Sequence, residues 1–406
     1  MIDIKLKENC VGCEACVQIC PKHCITFNED NQGFRYPKVD IDKCIDCNLC
    51  EQVCPVINQN PEIKPTTVYS ATNPNQQILR TSSSGGVFFS LAKRTIEAGG
   101  VVFGARFSSQ WSVFHDFTET IDGLKAFQGS KYSQSRIGDT YLIARKFLNS
   151  GRKVMFTGTP CQIAGLRLFL RKDYPGQLLC VEVICHGVPS PKIWRDYLKY
   201  TLEHQKKTPD SISNINFRDK SSGWQDYSIS IDFCDDKTSV SKSSRLTTHH
   251  EENPFFWGFN RGLLLRPSCF ACPAKCGKSH ADLTIGDFWN VNTLLNEASN
   301  PLGVSLVLCY NANSDSIFRN SDLNTVATSC SIAIQSNPSL IRNFPKPQHY
   351  DDFWSEYQMN GMNALIRYYS NRLSFIQKYI KRPVKTILGP NLILFYRHIK
   401  DKLLKH

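Results

Sequence analysis

The sequence contains no run of 18 apolar residues, so no segment is long enough to cross a bilayer as a helix. It opens with MIDIKLKENC, which lacks the apolar core of a secretory signal peptide. Its hydrophobic fraction of 41% excludes a disordered chain and is sufficient for folded cores. We therefore expect a cytoplasmic protein with two or three domains in its 406 residues.

Cysteine, in contrast, is abundant, with 18 residues in the chain. In the reducing compartment that we expect, clustered thiols indicate metal ligands rather than disulfides. The first sixty residues use one cysteine pattern twice, with gaps of two, two and three residues and a proline after the last cysteine. The first copy is Cys10, Cys13, Cys16 and Cys20, and the second is Cys44, Cys47, Cys50 and Cys54.

This spacing predicts two 4Fe–4S clusters, because three close thiolates bind three corners and the cysteine before proline ligates the other cluster. We assign Cys10, Cys13, Cys16 and Cys54 to the first cluster, and Cys44, Cys47, Cys50 and Cys20 to the second. A zinc site is the alternative, but zinc favours two well-separated CxxC pairs. Residues 25–39 predict a strand, a turn and a strand between the copies. Cys24 fits neither set and is expected to be a buried, small apolar residue.

The chain is expected to combine α+β and α/β structure. Residues 1–60 predict a bacterial-type dicluster ferredoxin fold, and residues 58–65 form a polar, proline-containing linker. From 66 to 330, predicted strands and helices alternate, which favours α/β units. Residues 331–406 form a basic tail, predicted to be mostly helical from Asp352 onward.

The basic tail has 12 Lys or Arg against 4 Asp or Glu. A basic segment can contact an acidic partner, nucleic acid or a membrane surface, and a solvated helical surface is the simpler alternative. We expect no nucleic-acid partner, and we keep peripheral membrane contact through the tail as an alternative.

Two loops are candidates for binding an anionic or hydroxylated ligand. Residues 82–94 (SSSGGVFFSLAKR) place two glycines at a predicted helix start, where free backbone N–H groups favour a phosphate. A tight turn capped by serine is the alternative. Residues 128–136 (QGSKYSQSR) offer hydroxyls and a lysine, in either a binding loop or a polar surface loop.

Further cysteines follow predicted strands or form a separate motif. Cys161 lies in a strand-to-helix turn, where α/β folds place ligands, and Cys185 ends a later strand beside His186. A lone buried thiol, and for His186 a core histidine, are the alternatives. Residues 269–276 carry three cysteines at two- and three-residue gaps, so a metal there needs ligands from elsewhere.

The segments SSGGVF, GSKYSQS, GTPCQIAGLR, CHGVPS and CxxC…ADLTIGDFW, in this order, resemble the coenzyme F420 hydrogenase/dehydrogenase beta subunit family. The resemblance covers about residues 66–330, with 66–150 as the family's N-terminal segment and 151–330 as its C-terminal segment. Members with a fused two-cluster ferredoxin domain are the most similar. Some bacterial relatives are encoded with surface-polysaccharide enzymes, which implies a link to surface-polysaccharide synthesis.

The resemblance implies a flavin-binding α/β domain with FAD and a third 4Fe–4S cluster. The implied ligands of the third cluster are Cys161, Cys185, Cys269 and Cys272, with Cys276 either replacing one of them or lying nearby. The implied flavin site comprises Ser84, Gly85, Gly86, Lys131 and Tyr132. A flavin next to a cluster converts between two-electron and one-electron steps.

The expected function is therefore that of a flavin-dependent iron–sulfur oxidoreductase. It would pass electrons between a ferredoxin-like protein or a reduced deazaflavin and an organic substrate. A non-catalytic electron-transfer subunit of a larger redox complex, or a redox-linked binding protein without flavin, are the alternatives. No catalytic residue is assigned from the sequence.

Overall fold

The structure is a computed structural model that describes residues 1–234 and 243–371. It divides into two compact units, Met1–Asp351 and Asp352–His406. Within the described ranges the strands are β1 Ile25–Glu29, β2 Arg35–Val39, β3 Thr67–Thr72, β4 Val101–Phe107, β5 Val113–Thr118, β6 Val154–Gly158, β7 Leu178–Val183, β8 Ile212–Asp219, β9 Ser228–Cys234, β10 Ser243–His249, β11 Leu283–Asp287, β12 Ser305–Cys309 and β13 Asn324–Thr328.

The α-helices in the same ranges are α1 Ala15–Ile19, α2 Leu49–Gln52, α3 Gln76–Thr81, α4 Val87–Glu97, α5 Thr140–Asn149, α6 Pro160–Leu170, α7 Pro191–Gln205, α8 Pro254–Asn260, α9 Val291–Leu294, α10 Ala312–Arg319, α11 Cys330–Ser336, α12 Tyr350–Asn360 and α13 Met362–Asn371. The two last helices agree with the prediction of a helical segment from Asp352. The predicted helices beyond Asn371 lie outside the described residues. No helix in the described ranges is long and apolar enough to cross a membrane.

Residues 1–60, which we call the head, repeat one local geometry at their two cysteine loops. Glu14 and Asn48 both adopt left-handed backbone conformations, with φ of 59° and 57°, directly before the short helices α1 and α2. Strands β1 and β2 pair antiparallel, which confirms the predicted strand, turn and strand. The turn closes because the Asp30 carboxylate accepts hydrogen bonds from the backbone N–H groups of Gln32 and Phe34.

An eight-stranded mixed sheet organises the rest of the first unit, in the order β13-β3-β12-β11-β7-β6-β4-β5. The four central strands β11, β7, β6 and β4 are parallel, and antiparallel strands flank them on both sides. The central strands are nearly continuous apolar runs, as expected when helices cover both faces of a sheet. The architecture confirms a mixed α/β fold.

Neighbouring residues of β4 point to opposite faces of this sheet. Val102 packs with Leu91 of α4 on one face, whereas Phe103 packs with Leu166 of α6 on the other. The second face also contains apolar residues of the head, among them Val11, Cys13, Ala15 and Val53. The head therefore shares a hydrophobic core with α5 and α6, whereas the predicted boundaries treat it as a separate domain.

A smaller antiparallel sheet, in the order β10-β9-β8, lies in the same unit. Strand β8 changes register twice against β9, and the second irregularity falls between Asn216 and Asp219. Arg218, at this irregular end of β8, lines the cleft described below.

Candidate functional site

The thiols assigned to the first cluster, Cys10, Cys13, Cys16 and Cys54, lie together in the head and are called the first thiol set. Burial raises the pKa of Cys13 well above its usual value, and negative charge at Cys16, Cys54 and Cys10 adds to the increase. Burial likewise raises the pKa of Cys16, with Cys10 and Cys54 adding to it. Such mutual repulsion is relieved when thiolates bind positively charged iron, so the donor set fits a cluster.

The second thiol set, Cys20, Cys44, Cys47 and Cys50, surrounds a small cavity at the other end of the head. Cys24 lines the same cavity, and its Sγ lies 3.3 Å from Sγ of Cys20. Cys24 is buried as predicted, with 4% of its surface exposed, but it also contacts a predicted ligand. Cys47 is exposed, so this end of the head is open to solvent.

The third thiol set comprises Cys161, Cys185, Cys269 and Cys272, which the fold brings together from three segments. Cys161 begins α6 just after β6, and Cys185 follows the adjacent parallel strand β7, so both lie at the same sheet edge. Burial raises the pKa of Cys161 well above its usual value, and charges at Cys272, Cys185 and Cys269 add to the increase.

A backbone connection explains how the CxxC segment reaches this edge. Pro189 and Leu265 form an antiparallel bridge, which aligns the chain after Cys185 with the chain before Cys269. The backbone N–H of Val188 then donates to Sγ of Cys269 at 3.4 Å. The four thiols thus share one site although more than a hundred residues separate the first from the last.

Cys276 lies apart from the third thiol set. Its thiol donates to the carbonyl oxygen of Ile341 at 3.5 Å. Burial raises the pKa of Cys276, and the other contributions come from Glu62, Lys278 and Lys275 rather than from another cysteine. The placement favours Cys276 as a neighbour of the third thiol set over Cys276 as one of its members.

A cleft of about 480 Å³ opens at the carboxyl ends of the parallel strands β4, β6, β7 and β11. This is the sheet edge at which α/β folds bind ligands. Its walls are the predicted serine–glycine loop, the loop after residue 127 and the segment after β7, which includes Cys185. The cleft thus adjoins the third thiol set.

Four of the five residues implied for flavin binding, Ser84, Gly86, Lys131 and Tyr132, line the cleft. Gly86 caps α4 with a φ of +81°, a left-handed conformation that glycine adopts readily because it has no Cβ. Gly85 instead faces the sheet, because a Cβ there would lie 2.2 Å from the Ala71 carbonyl oxygen. Its N–H donates to Oγ of Ser305 at 2.9 Å, so Gly85 serves packing rather than the cleft.

The amine of Lys131 is bonded within its own loop. It donates to the carbonyl oxygens of Ala126, Gln128 and Gly129 at 3.0, 2.8 and 3.1 Å. Burial, assisted by Arg106, lowers the pKa of Lys131 to about 7. A direct contact between this amine and a ligand phosphate therefore requires one of these bonds to break.

Two family models match the chain in separate regions. Residues 151–332 match the model described as the C terminus of the coenzyme F420 hydrogenase/dehydrogenase beta subunit, and residues 9–58 match a 4Fe–4S dicluster domain. The chain thus combines a region that is similar to the C terminus of this beta subunit with an N-terminal region that is similar to a dicluster domain. This confirms the resemblance and identifies the head as an iron–sulfur module.

Individual proteins are also similar to parts of this chain. Ferredoxin-3 of Nostoc sp. (strain PCC 7120 / SAG 25.82 / UTEX 2576) is 67% identical over 21 residues, which are 5% of this chain and 22% of that protein. The chain thus spans about a fifth of the length of this curated relative. A structure of the F420-reducing [NiFe] hydrogenase complex from Methanosarcina barkeri, a xenon derivative, is 16% identical with a TM-score of 0.43, covering 78% of this chain and 96% of that chain.

The cleft contains a buried ion pair that the sequence did not reveal. Arg218, with 2% of its side chain exposed, donates to the carboxylate of Asp287 at 2.8 Å. Its guanidinium lies 4.1 Å from the Tyr227 ring centre and 5.0 Å from that of Trp289. It also donates to the hydroxyl of Tyr132 at 3.3 Å. Asp287 falls within the TIGDFW segment, but nothing in that pattern indicated a partner from β8.

Several buried polar atoms of the cleft lining have no hydrogen-bond partner. They are Nδ1 of His115, Oγ of Ser133, Nε2 of His186 and Nε of Arg218. Burial lowers the pKa of His115 and of His186 to about 4, so both imidazoles are neutral near pH 7. Orphaned buried polar atoms require a partner, so the lining fits a polar ligand with several donors and acceptors, as a flavin is.

The helix α6 connects the third thiol set with the head. Cys161 lies in its first turn, and Gly165 lies one turn further on. A Cβ built on Gly165 would lie 2.9 Å from Sγ of Cys13, so the first thiol set packs directly against this helix. The cleft, the third thiol set and the first thiol set therefore follow one another in space.

Proposed function

We propose that the chain is an iron–sulfur flavoprotein oxidoreductase that binds FAD in the cleft and 4Fe–4S clusters at all three thiol sets. It passes electrons between a ferredoxin-like protein or a reduced deazaflavin and an organic substrate. The link to surface-polysaccharide synthesis rests on the resemblance alone and stays a prediction, as does the cytoplasmic location.

The observation that carries this proposal is the spatial succession from cleft to head. Cys185 belongs both to the cleft wall and to the third thiol set. Cys161 shares α6 with Gly165, against which Cys13 packs. A redox group in the cleft therefore has a short path to two successive cluster sites, as electron transfer requires.

The residues of the cleft have distinct roles in holding FAD. The N-terminus of α4 at Gly86 offers backbone N–H groups to a phosphate, and Ser84 lies beside it. His115, His186 and Arg218 line the same cleft and carry nitrogen atoms without a hydrogen-bond partner, which suits a polar ligand. When bound, the flavin would supply the exchange between two-electron and one-electron chemistry, which the clusters alone cannot provide.

The open end of the head fits contact with a protein partner. Ile41 and Ile45 are 70% and 57% exposed, and Cys47 is exposed near them in sequence. Exposed apolar side chains around a cluster site are suited to a transient electron-transfer contact. This observation also favours the second candidate function, a non-catalytic electron-transfer subunit whose substrate site lies in another polypeptide.

Anaerobic purification of the full chain, followed by flavin and iron analysis, tests the proposal. We expect one FAD and about twelve iron atoms per chain, since each cluster contains four. Reduction of the bound flavin by a reduced ferredoxin, with turnover of an organic electron acceptor, distinguishes an enzyme from a transfer subunit. About eight irons and no flavin would contradict the proposal, while full cofactor content without turnover would favour the second candidate.

A further inference from the structure

Arg266 is a buried cation at the contact between the head and the segment that leads to Cys269. Only 1% of its surface is exposed. Its guanidinium donates to three neutral acceptors: the carbonyl oxygen of Cys10 at 2.8 Å, Oε1 of Gln134 at 3.0 Å and the carbonyl oxygen of Arg35 at 3.0 Å. Three separate parts of the chain thus converge on one side chain.

Within the described ranges no carboxylate forms an ion pair with Arg266. Its guanidinium instead lies 4.3 Å from the ring centre of Tyr36 and 5.4 Å from that of Phe34. Removing a charge from water is unfavourable unless nearby groups compensate it. Arg266 is therefore a buried cation that is held by neutral acceptors and aromatic rings.

Arg266 contacts one member each of the first and third thiol sets through the backbone. Arg266 bonds to the backbone of Cys10, and the N–H of Cys269 donates to the carbonyl oxygen of Arg266 at 2.9 Å. Burial raises the pKa of Tyr36, Arg266 opposes the increase, and charges at Asp30, Cys10 and Cys269 add to it. The guanidinium of Arg266 thus bonds to a member of the first set, and its backbone bonds to a member of the third set.

The cysteine loop of the head is shaped to admit this guanidinium. Gly12 lies between Cys10 and Cys13 with a φ of +71°, and a Cβ there would lie 3.0 Å from Nη1 of Arg266. A larger residue at this position would push the cation away from the loop that carries the first thiol set. The Arg266 guanidinium therefore lies close to the cysteine loop of the head.

We propose that Arg266 is a positioning residue that holds the first and third cluster sites together and raises the reduction potentials of both clusters. The inference rests on the proposed cluster at the third thiol set. A 4Fe–4S cluster with four thiolates is anionic and becomes more negative on accepting one electron, so a fixed cation nearby stabilises the reduced form. The clusters in turn supply the counter-charge that Arg266 lacks.

The test uses the full chain, purified anaerobically with its clusters, and redox titrations followed by electron paramagnetic resonance. Arg266→Gln removes the charge. Gln134→Glu keeps the arginine but places a carboxylate beside Nη1. The carboxylate compensates the positive charge of Arg266, and the glutamate side chain has nearly the same size as the glutamine. Arg266→Lys keeps the positive charge but removes the guanidinium that donates the three hydrogen bonds. Arg195→Gln is the control, because Arg195 of α7 also contacts the head but is half-exposed and paired with Glu29.

We expect Arg266→Gln and Gln134→Glu to lower the reduction potentials of the first and third clusters relative to the parent. Arg266→Lys and Arg195→Gln should leave them close to parental values. The second cluster, which Arg266 does not contact, serves as an internal reference that stays unchanged in all variants.

Parental potentials in an iron-replete Arg266→Gln or Gln134→Glu variant would overturn the inference and assign Arg266 a purely structural role. If both of these variants bind less iron, the Arg266→Lys variant is the deciding measurement. Cluster reduction potentials equal to those of the parent support an effect of the charge, and lower reduction potentials overturn it. Iron analysis of the parent separates this result from failure of the proposed function. With about eight irons the third site is absent, yet the first cluster still reports the effect of the charge.

Discussion

At the scale of single residues, Gly86 meets two constraints that a side chain cannot satisfy. Its φ is +81°, and a Cβ would lie 2.9 Å from Cβ of Asn73. A left-handed conformation costs an L-residue about 1–2 kcal/mol before any clash is counted. We expect Gly86→Val to lose its flavin and retain the iron of the head, as measured by the flavin and iron contents after anaerobic purification.

Gly151→Val is the matched control for this variant, because Gly151 has the same φ but nothing lies within 4 Å of a Cβ there. It should bind flavin like the parent. Full flavin retention by Gly86→Val would mean that the glycine only caps α4.

A second prediction at this scale concerns Arg218 and Asp287. Removing one partner of a buried ion pair costs about 3–5 kcal/mol, because the other charge stays behind unpaired. We expect Arg218→Met to lower the stability of the full chain by this order, and Arg218→Met with Asp287→Asn to recover part of the loss. Denaturant unfolding of the three proteins measures both effects.

Arg245→Met provides the comparison, since Arg245 is half-exposed and pairs with Asp219 and Asp232. A partly exposed pair contributes about 0–1 kcal/mol, so this change should be small. If Arg218→Met and Arg245→Met lower the free energy of unfolding equally, burial does not make the Arg218–Asp287 pair more important for stability than an exposed pair.

At the scale of elements, the two cysteine loops share a local geometry but not an environment. Cys13 is buried against α6, whereas Cys47 is exposed. We expect Cys13→Ala and Cys47→Ala each to lose about four irons. Only Cys13→Ala should also weaken the packing between head and α6, which a lower unfolding midpoint would report.

Cys234→Ala, at an exposed thiol of β9, should retain all iron. An unchanged iron content in Cys47→Ala would refute the assignment of the second set.

At the scale of the whole molecule, buried neutral histidines couple stability to pH. Burial lowers the pKa of His115 to about 4, whereas the unfolded chain binds this proton near pH 6.5. The stabilising contribution is therefore complete above pH 6.5 and is lost as the pH falls towards 4. For one such histidine the loss is about 2 kcal/mol by pH 5.

His115→Gln removes this coupling, so the thermal midpoint of the variant should fall less between pH 7 and pH 5 than that of the parent. His204→Gln, at an exposed histidine of α7, should keep the parental slope. Identical slopes in the His115→Gln variant and the parent would mean that other groups control the acid sensitivity.

The sequence alone determined the features that depend on residues close together in the chain. The repeated cysteine spacing indicated the dicluster domain that the family comparison confirmed. The strand, turn and strand of the head and the alternating strands and helices of the sheet were likewise predicted from local patterns. Such features follow from short-range backbone geometry, which spacing and hydrophobic period report directly.

Only the tertiary structure decided which distant segments meet. Hydrogen bonds within its own loop engage the Lys131 amine, Gly85 packs on the sheet, and Cys276 stands apart from the third thiol set. Arg218 donates a hydrogen bond to Asp287, and Arg266 donates one to the carbonyl oxygen of Cys10, although each pair is far apart in the sequence. These outcomes depend on which strands become neighbours and how the head docks on α6, and no local pattern records either arrangement.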